Sequence, residues 1–202
     1  PLLIADHARG VLVCDNAYSR RPVKAAEIDD VLSLANLAAI AVERVRLHER
    51  IRRMAERDGL TGLSNRRIFD TLFEKKFKEA KKRQTPLSMA FVDLDKFKEI
   101  NDTHGHLVGD DVLRAVATVI RSRIRRGDVA ARYGGDEMVI VLAGATAAQA
   151  AQIAEHIRAK VEQTHFDNKP SVSTTVSVGV ASMQPTHQTP SDLLAEVDRA
   201  VY

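Results

Sequence analysis

Between Ala130 and Leu142 two apolar runs flank the pair Gly134 and Gly135, and this arrangement commits that stretch to a β-hairpin with the glycines at its turn. Around the hairpin, strand-like and helix-like stretches alternate. A helix is expected from Asn65 to about Arg83, then Pro86 and an apolar strand from Leu87 to Val92. Further helices are expected from about Gly109 to Arg126, from Ala147 to Gln163 and from near Ser191, with a β-rich stretch from Ser171 to Met183. Strands alternating with helices, one pair of strands being joined directly, give a sheet with helices packed on it. Upstream, Gly10 to Cys14 reads as a short strand, Asp15 to Pro22 as a polar turn, and about Ala26 to Arg57 as a long helix. On that helix Leu37, Ile40, Leu47, Ile51 and Met54 recur at steps of three, four and seven, with Arg44 interrupting. Such a stripe is the seam of a two-stranded coiled coil, or else the inner face of a helix packed on its own domain. The texture changes after Asp58 and Gly59, and the boundary is placed there, between 1–57 and 58–202.

Composition narrows the function. The 30 basic residues are interleaved with 27 acidic ones, for a net charge of +3, so a polyphosphate ligand fits better than a nucleic-acid polymer. Cys14 is the only cysteine, which excludes an intrachain disulfide, and no apolar run reaches the roughly 18 residues of a membrane span. A cytoplasmic location is expected. The chain begins at Pro1 without Met, inside what reads as a strand, and is expected to be a fragment of something longer.

Three constellations carry chemistry. Asp93, Leu94 and Asp95 stand where an apolar strand ends, and a carboxylate emerging there suits a hard cation such as Mg²⁺, although Asp-x-Asp is also a common solvated loop or helix cap. Asn101 and Asp110 bracket a segment that holds His104 and His106, whose spacing is not a recognised zinc pair. A carboxylate such as Asp110 can accept from both the ring N1–H and the amino group of guanine, whereas adenine lacks the N1 donor, and Asn101 can add a polar contact to the same base. Arg132, Tyr133, Gly134, Gly135, Asp136, Glu137 and Met138 occupy the hairpin turn, where glycines let a backbone approach a phosphate and the adjacent acids can complete a metal site with Asp93. Acids on two neighbouring strand ends, a glycine turn and nearby basic residues together make the arrangement that metal-assisted phosphoryl transfer needs.

From Arg57 to Tyr202 the chain resembles the GGDEF family, from Asp58, Gly59, Leu60, Thr61, Gly62, Leu63, Asn65, Arg66 and Arg67 to Asp198, Ala200 and Tyr202, with Met138 in place of the usual Phe. The resemblance implies an α+β fold: a central, mostly antiparallel sheet flanked by helices, like nucleotide cyclases and polymerase palms, here with an N-terminal helical arm. It implies a diguanylate cyclase that condenses two GTP into cyclic di-GMP and pyrophosphate with Mg²⁺ or Mn²⁺. Asp93, Asp136 and the carbonyl of Leu94 are then the metal ligands, Asp136 also the general base, Lys98 the residue that steadies phosphate charge in the transition state, and Glu137 a catalytic residue beside the metal site. Asn101, Asp110, Gly134 and Gly135 bind substrate. One GTP per domain implies a homodimer, which gives the arm a purpose. Arg125 and Asp128, in Arg125-Arg126-Gly127-Asp128, resemble the site at which the product inhibits, with Arg158 as a helper from a neighbouring subunit; in an arbitrary protein the same residues are a solvated helix end. The basic run Lys75 to Arg83 reads as a solvated face. The family continues past the last helix into a basic segment, whereas this chain stops at Tyr202. Gly10 to about Glu49 resembles the last strand and helix of a GAF sensory domain, without its pocket. The rival class is a non-catalytic receptor for GTP or cyclic di-GMP.

Overall fold

The computed structural model describes residues 2–4, 7–13, 20–22, 24–164 and 172–201. The chain divides into two compact units, Pro1–Ala55 and Glu56–Tyr202. In the first, β1 (Leu2–Ile4) pairs antiparallel with β2 (His7–Gly10), and α1 runs from Ala25 to Glu56. The strand expected from Gly10 to Cys14 therefore lies upstream of its expected place. Val11 and Val13 are 73% and 80% exposed and belong to no strand among the described residues. Cys14 and most of the expected polar turn lie outside the described residues.

In the second unit α2 (Arg66–Arg83) follows the two-residue strand β3 (Ser64–Asn65), whose Asn65 caps the helix by accepting from the Ile68 N–H at 3.1 Å. Phe69, Phe73, Phe77 and Ala80 fall at helical spacing and are all buried, while Lys75, Lys78, Lys81, Lys82 and Arg83 are exposed. Next come β4 (Leu87–Leu94), α3 (Phe97–His104), α4 (His106–Arg123), β5 (Val129–Arg132), β6 (Glu137–Ala143), α5 (Ala147–Glu162), β7 (Val176–Ser182) and α6 (Pro190–Arg199). The sheet order is β3-β5-β6-β4-β7, with only β3 and β5 parallel.

Strand β4 lies between β6 and β7 and is buried on both faces, so it reads as a continuous apolar run. Its alternate residues sort into two cores. Ala90, Val92 and Leu94 pack with Val112, Val116 and Ile120 of α4 and Ile157 of α5; Leu87, Met89 and Phe91 pack with the phenylalanines of α2 and with Leu193 and Val197 of α6. By that alternation Asp93 belongs to the face of Phe91. Two helices replace the one expected near Gly109. Gly105, at φ +85°, breaks the path between α3 and α4 in a conformation that L side chains rarely adopt. Helix α4 ends at Arg123 rather than Arg126, because Arg125–Asp128 closes a turn of its own in which the Asp128 N–H bonds the Arg125 carbonyl at 3.0 Å.

Candidate active site

Asp93 is the last residue of β4 to pair with β6, and its partner there is Glu137. Residues directly opposite in an antiparallel pair put their Cβ atoms about 5 Å apart on one face, and like charges so placed are destabilising. Asp136 immediately precedes Glu137 at the mouth of the β5–β6 turn. Burial raises the Asp93 pKa above its ordinary 3.8, and the charges of Asp136, Glu137 and Asp95 push it further the same way. No lysine or arginine among the described residues forms an ion pair with Asp93, Asp136 or Glu137. The negative charge concentrated around Asp93 is therefore not offset by a protein cation among the described residues. No group of three or more His, Cys, Asp or Glu among the described residues is arranged to hold a metal ion by itself. The donor set that the family resemblance implies has another composition, two carboxylates and the Leu94 carbonyl, which would leave positions for ligand oxygens.

The turn is held from outside. Arg132 donates from Nε and an Nη to the Gly135 carbonyl, at 3.0 and 2.7 Å, and its other Nη lies 3.4 Å from Asp58. Asp58 in turn accepts from the Thr61 N–H and hydroxyl at 2.8 and 2.7 Å. Burial works to raise the Asp58 pKa, but the bonds from Thr61 and the Arg132 guanidinium outweigh it and hold the carboxyl below its ordinary value. Sequence reasoning gave Arg132, Asp58 and Thr61 no role. No local signal could have found them, because Arg132 and Asp58 stand 74 positions apart in the chain.

Gly134 has a steric reason that the sequence did not reveal. A Cβ there would overlap Glu137 Oε2 and stand 3.2 Å from Glu137 Cδ, whereas one at Gly135 would meet nothing. The first glycine makes room for an acid; the second leaves the turn open. Asp95, two residues beyond Asp93, joins the structural frame: Ser177 donates to it at 2.7 Å and Thr175 donates to its other oxygen. It ties the end of β4 to the start of β7.

Lys98 lies exposed in the first turn of α3, and Asn101 and Asp110 are half-buried on α3 and α4. The side chains of Asn101 and Asp110 make no hydrogen bond within the protein among the described residues, which leaves them open to a ligand. Arg125 and Asp128 stand apart, at the far end of α4. The Asp128 carboxylate accepts from the backbone N–H of Arg125 at 2.8 Å and of Ala143 at 3.1 Å, while the Arg125 side chain is exposed. Arg158 is bound to Glu155 and Glu162 of its own helix.

The family described as diguanylate cyclase, GGDEF domain, matches residues 55–202. The chain belongs to that family. Its GGDEF domain is similar to diguanylate cyclase DosC of Escherichia coli K12, at 41% identity over 147 residues, which cover 72% of this chain and 32% of DosC. It is also similar to the response regulator PleD of Caulobacter vibrioides, at 35% identity over 201 residues, covering 90% of this chain and 44% of PleD. The chain thus spans about a third to somewhat under half of the length of these relatives. Among solved structures, the coiled coil and GGDEF domain of DgcB from Caulobacter crescentus, in complex with c-di-GMP, superposes with a TM-score of 0.76 at 34% identity, covering 85% of this chain and 92% of that one. The mixed five-stranded sheet flanked by helices is the GGDEF fold, and α1 fits the DgcB coiled-coil arm. No helix among the described residues is long and apolar enough to cross a membrane.

Proposed function

We propose that residues 58–202 form one half of a diguanylate cyclase that condenses two GTP into cyclic di-GMP. The carrying observation is the cross-strand pair Asp93 and Glu137 beside Asp136, a like-charge cluster that a sheet ordinarily avoids. Asp93, Asp136 and the Leu94 carbonyl would hold Mg²⁺ or Mn²⁺, and the acid-rich site with no ion-pair partner fits such an ion. Bound there, the cation would lower the pKa of the attacking 3′-hydroxyl and offset charge on the departing pyrophosphate.

The protein's own groups do the rest. Asn101 and Asp110 hold the guanine edge, and the open turn at Gly134 and Gly135 lets backbone approach the phosphates. Asp136 takes the proton from the 3′-hydroxyl as its oxygen bonds to the α-phosphorus of the second GTP. The bond from that phosphorus to pyrophosphate breaks, and Lys98 offsets the charge on the leaving oxygens. A second, reciprocal attack closes the ring. Each domain presents one GTP, so two chains must face each other. The apolar face of α1 supports this: Leu37, Ile40, Leu47 and Ile51 are all more than half exposed, and a second copy of the helix would cover them. The stretch from Gly10 to about Glu49 is read as the end of a GAF sensory domain that runs into this arm.

Arg125 and Asp128 are proposed to bind the product and inhibit. Asp128 retains acceptor capacity beyond its two backbone bonds, and the exposed Arg125 guanidinium matches guanine O6 and N7. Arg125→Ala is expected to leave the initial rate within about twofold and to raise the concentration of cyclic di-GMP needed for half-inhibition at least tenfold. Unchanged inhibition would remove this site. Substrate choice tests the reaction itself: given GTP and ATP together with Mg²⁺, the chain should yield cyclic di-GMP and no mixed dinucleotide, because Asp110 needs the N1–H that adenine lacks. A mixed product would overturn the role of Asp110, and binding without turnover would favour a receptor.

A further inference from the structure

We infer that Gly109 is a positioning residue for nucleotide selection, setting the side chain of Asn101 beside Asp110; the inference rests on the proposed guanine site. Helices α3 and α4 meet at Gly105, whose N–H bonds the Asn101 carbonyl at 2.8 Å and whose carbonyl receives the Gly109 N–H at 3.3 Å. Asn101 is thus one turn before the corner and Gly109 one turn after it. At that crossing the Asn101 amide lies on the bare Cα of Gly109: an added Cβ would overlap Asn101 Oδ1, stand 3.0 Å from Asn101 Cγ and come within 3.2 Å of Phe97 Cζ.

Asn101 makes no side-chain hydrogen bond among the described residues, so the seat on Gly109 sets its rotamer. Asp110 is the next residue along α4, so the amide is seated against the residue that immediately precedes the proposed guanine carboxylate. Amide and carboxylate together offer donor and acceptor groups to a purine edge. A glycine inside a helix ordinarily weakens it relative to alanine, so the sequence tolerates this residue against helical preference. Close approach of a neighbouring side chain explains why.

The test separates the glycine from the guanine reading. Binding of 3′-deoxy-GTP, which lacks the attacking hydroxyl, is measured by calorimetry with Mg²⁺ for the wild-type chain, Asn101→Ala, Gly109→Ala and the double variant, with thermal melting of each. Gly109→Ala is expected to weaken binding about tenfold, like Asn101→Ala, without lowering Tm. The double variant is expected to bind no more weakly than Asn101→Ala, because alanine at 109 then has room. If Gly109→Ala proves too unstable to assay, recovery of Tm in the double variant supports the same contact. A double variant as unstable as Gly109→Ala would assign the glycine to packing against Phe97 and overturn the inference. Wild-type affinity in Gly109→Ala beside weakened Asn101→Ala would also overturn it while leaving the guanine site standing. Wild-type affinity in Asn101→Ala would remove the guanine site, and the inference with it.

Discussion

Asp93 faces Glu137 across two hydrogen-bonded strands, and neither carboxylate has a cationic partner among the described residues. The cost appears in the raised Asp93 pKa, whose first cause is burial and whose further causes are three acidic neighbours. A carboxyl raised above its ordinary 3.8 favours the fold below that value and loses this contribution as pH rises through the raised pKa. In metal-free buffer at pH 7, Asp93→Asn is therefore expected to stabilise the domain by a few tenths of a kcal/mol, a modest figure because solvent screens the site, and to abolish turnover. Melting curves from pH 4 to pH 7 check this, and a gain that fails to grow with pH would contradict the reading. Asp58 works in the opposite sense, its lowered pKa favouring the fold until pH falls below the ordinary carboxylate range. At this scale the sequence was legible where a side chain emerges from a recognisable element, as with Asp93, Asp136 and Glu137. It was not legible where a role depends on contact across the fold. Arg132 reaches Asp58, 74 positions away, and Ser177 reaches Asp95, 82 positions away, and no local spacing encodes either pair.

Among the elements, β4, β6 and α2 were readable because each carries an unbroken signal. The strands are apolar over their buried length, and α2 has phenylalanines four apart behind an asparagine cap. Helix α3 was missed because eight residues give little periodicity and the break at Gly105 hides where it stops. The arm was read from its heptad steps, and the same steps carry a prediction. Leu47 and Ile51 are 55% and 56% exposed one turn apart. Replacing both with Asp should place two charges in the seam of a paired helix and shift the chain to monomer in sedimentation analysis. Product formation per chain should then fall at least tenfold at low concentration and recover as concentration rises. Full activity in a demonstrably monomeric variant would contradict the need for two facing domains.

At the scale of the molecule, the antiparallel strands β4 and β6 bring Asp93, Glu137 and Asp136 to one end of the sheet, and the α3–α4 corner offers Asn101 and Asp110. The fold class was legible because alternating strands and helices with one direct hairpin leave few arrangements for the sheet. The parallel placement of β3 beside β5 was not, since two residues carry no pattern. The most direct measurement incubates the chain with GTP and Mg²⁺, beside Asp136→Ala, and separates the nucleotides by liquid chromatography with mass detection. Cyclic di-GMP with two pyrophosphates released per product is expected from the wild-type chain, and a loss of at least a thousandfold in the variant with its melting curve intact. Equal product from Asp136→Ala would contradict the assignment of the paired acids as the active site.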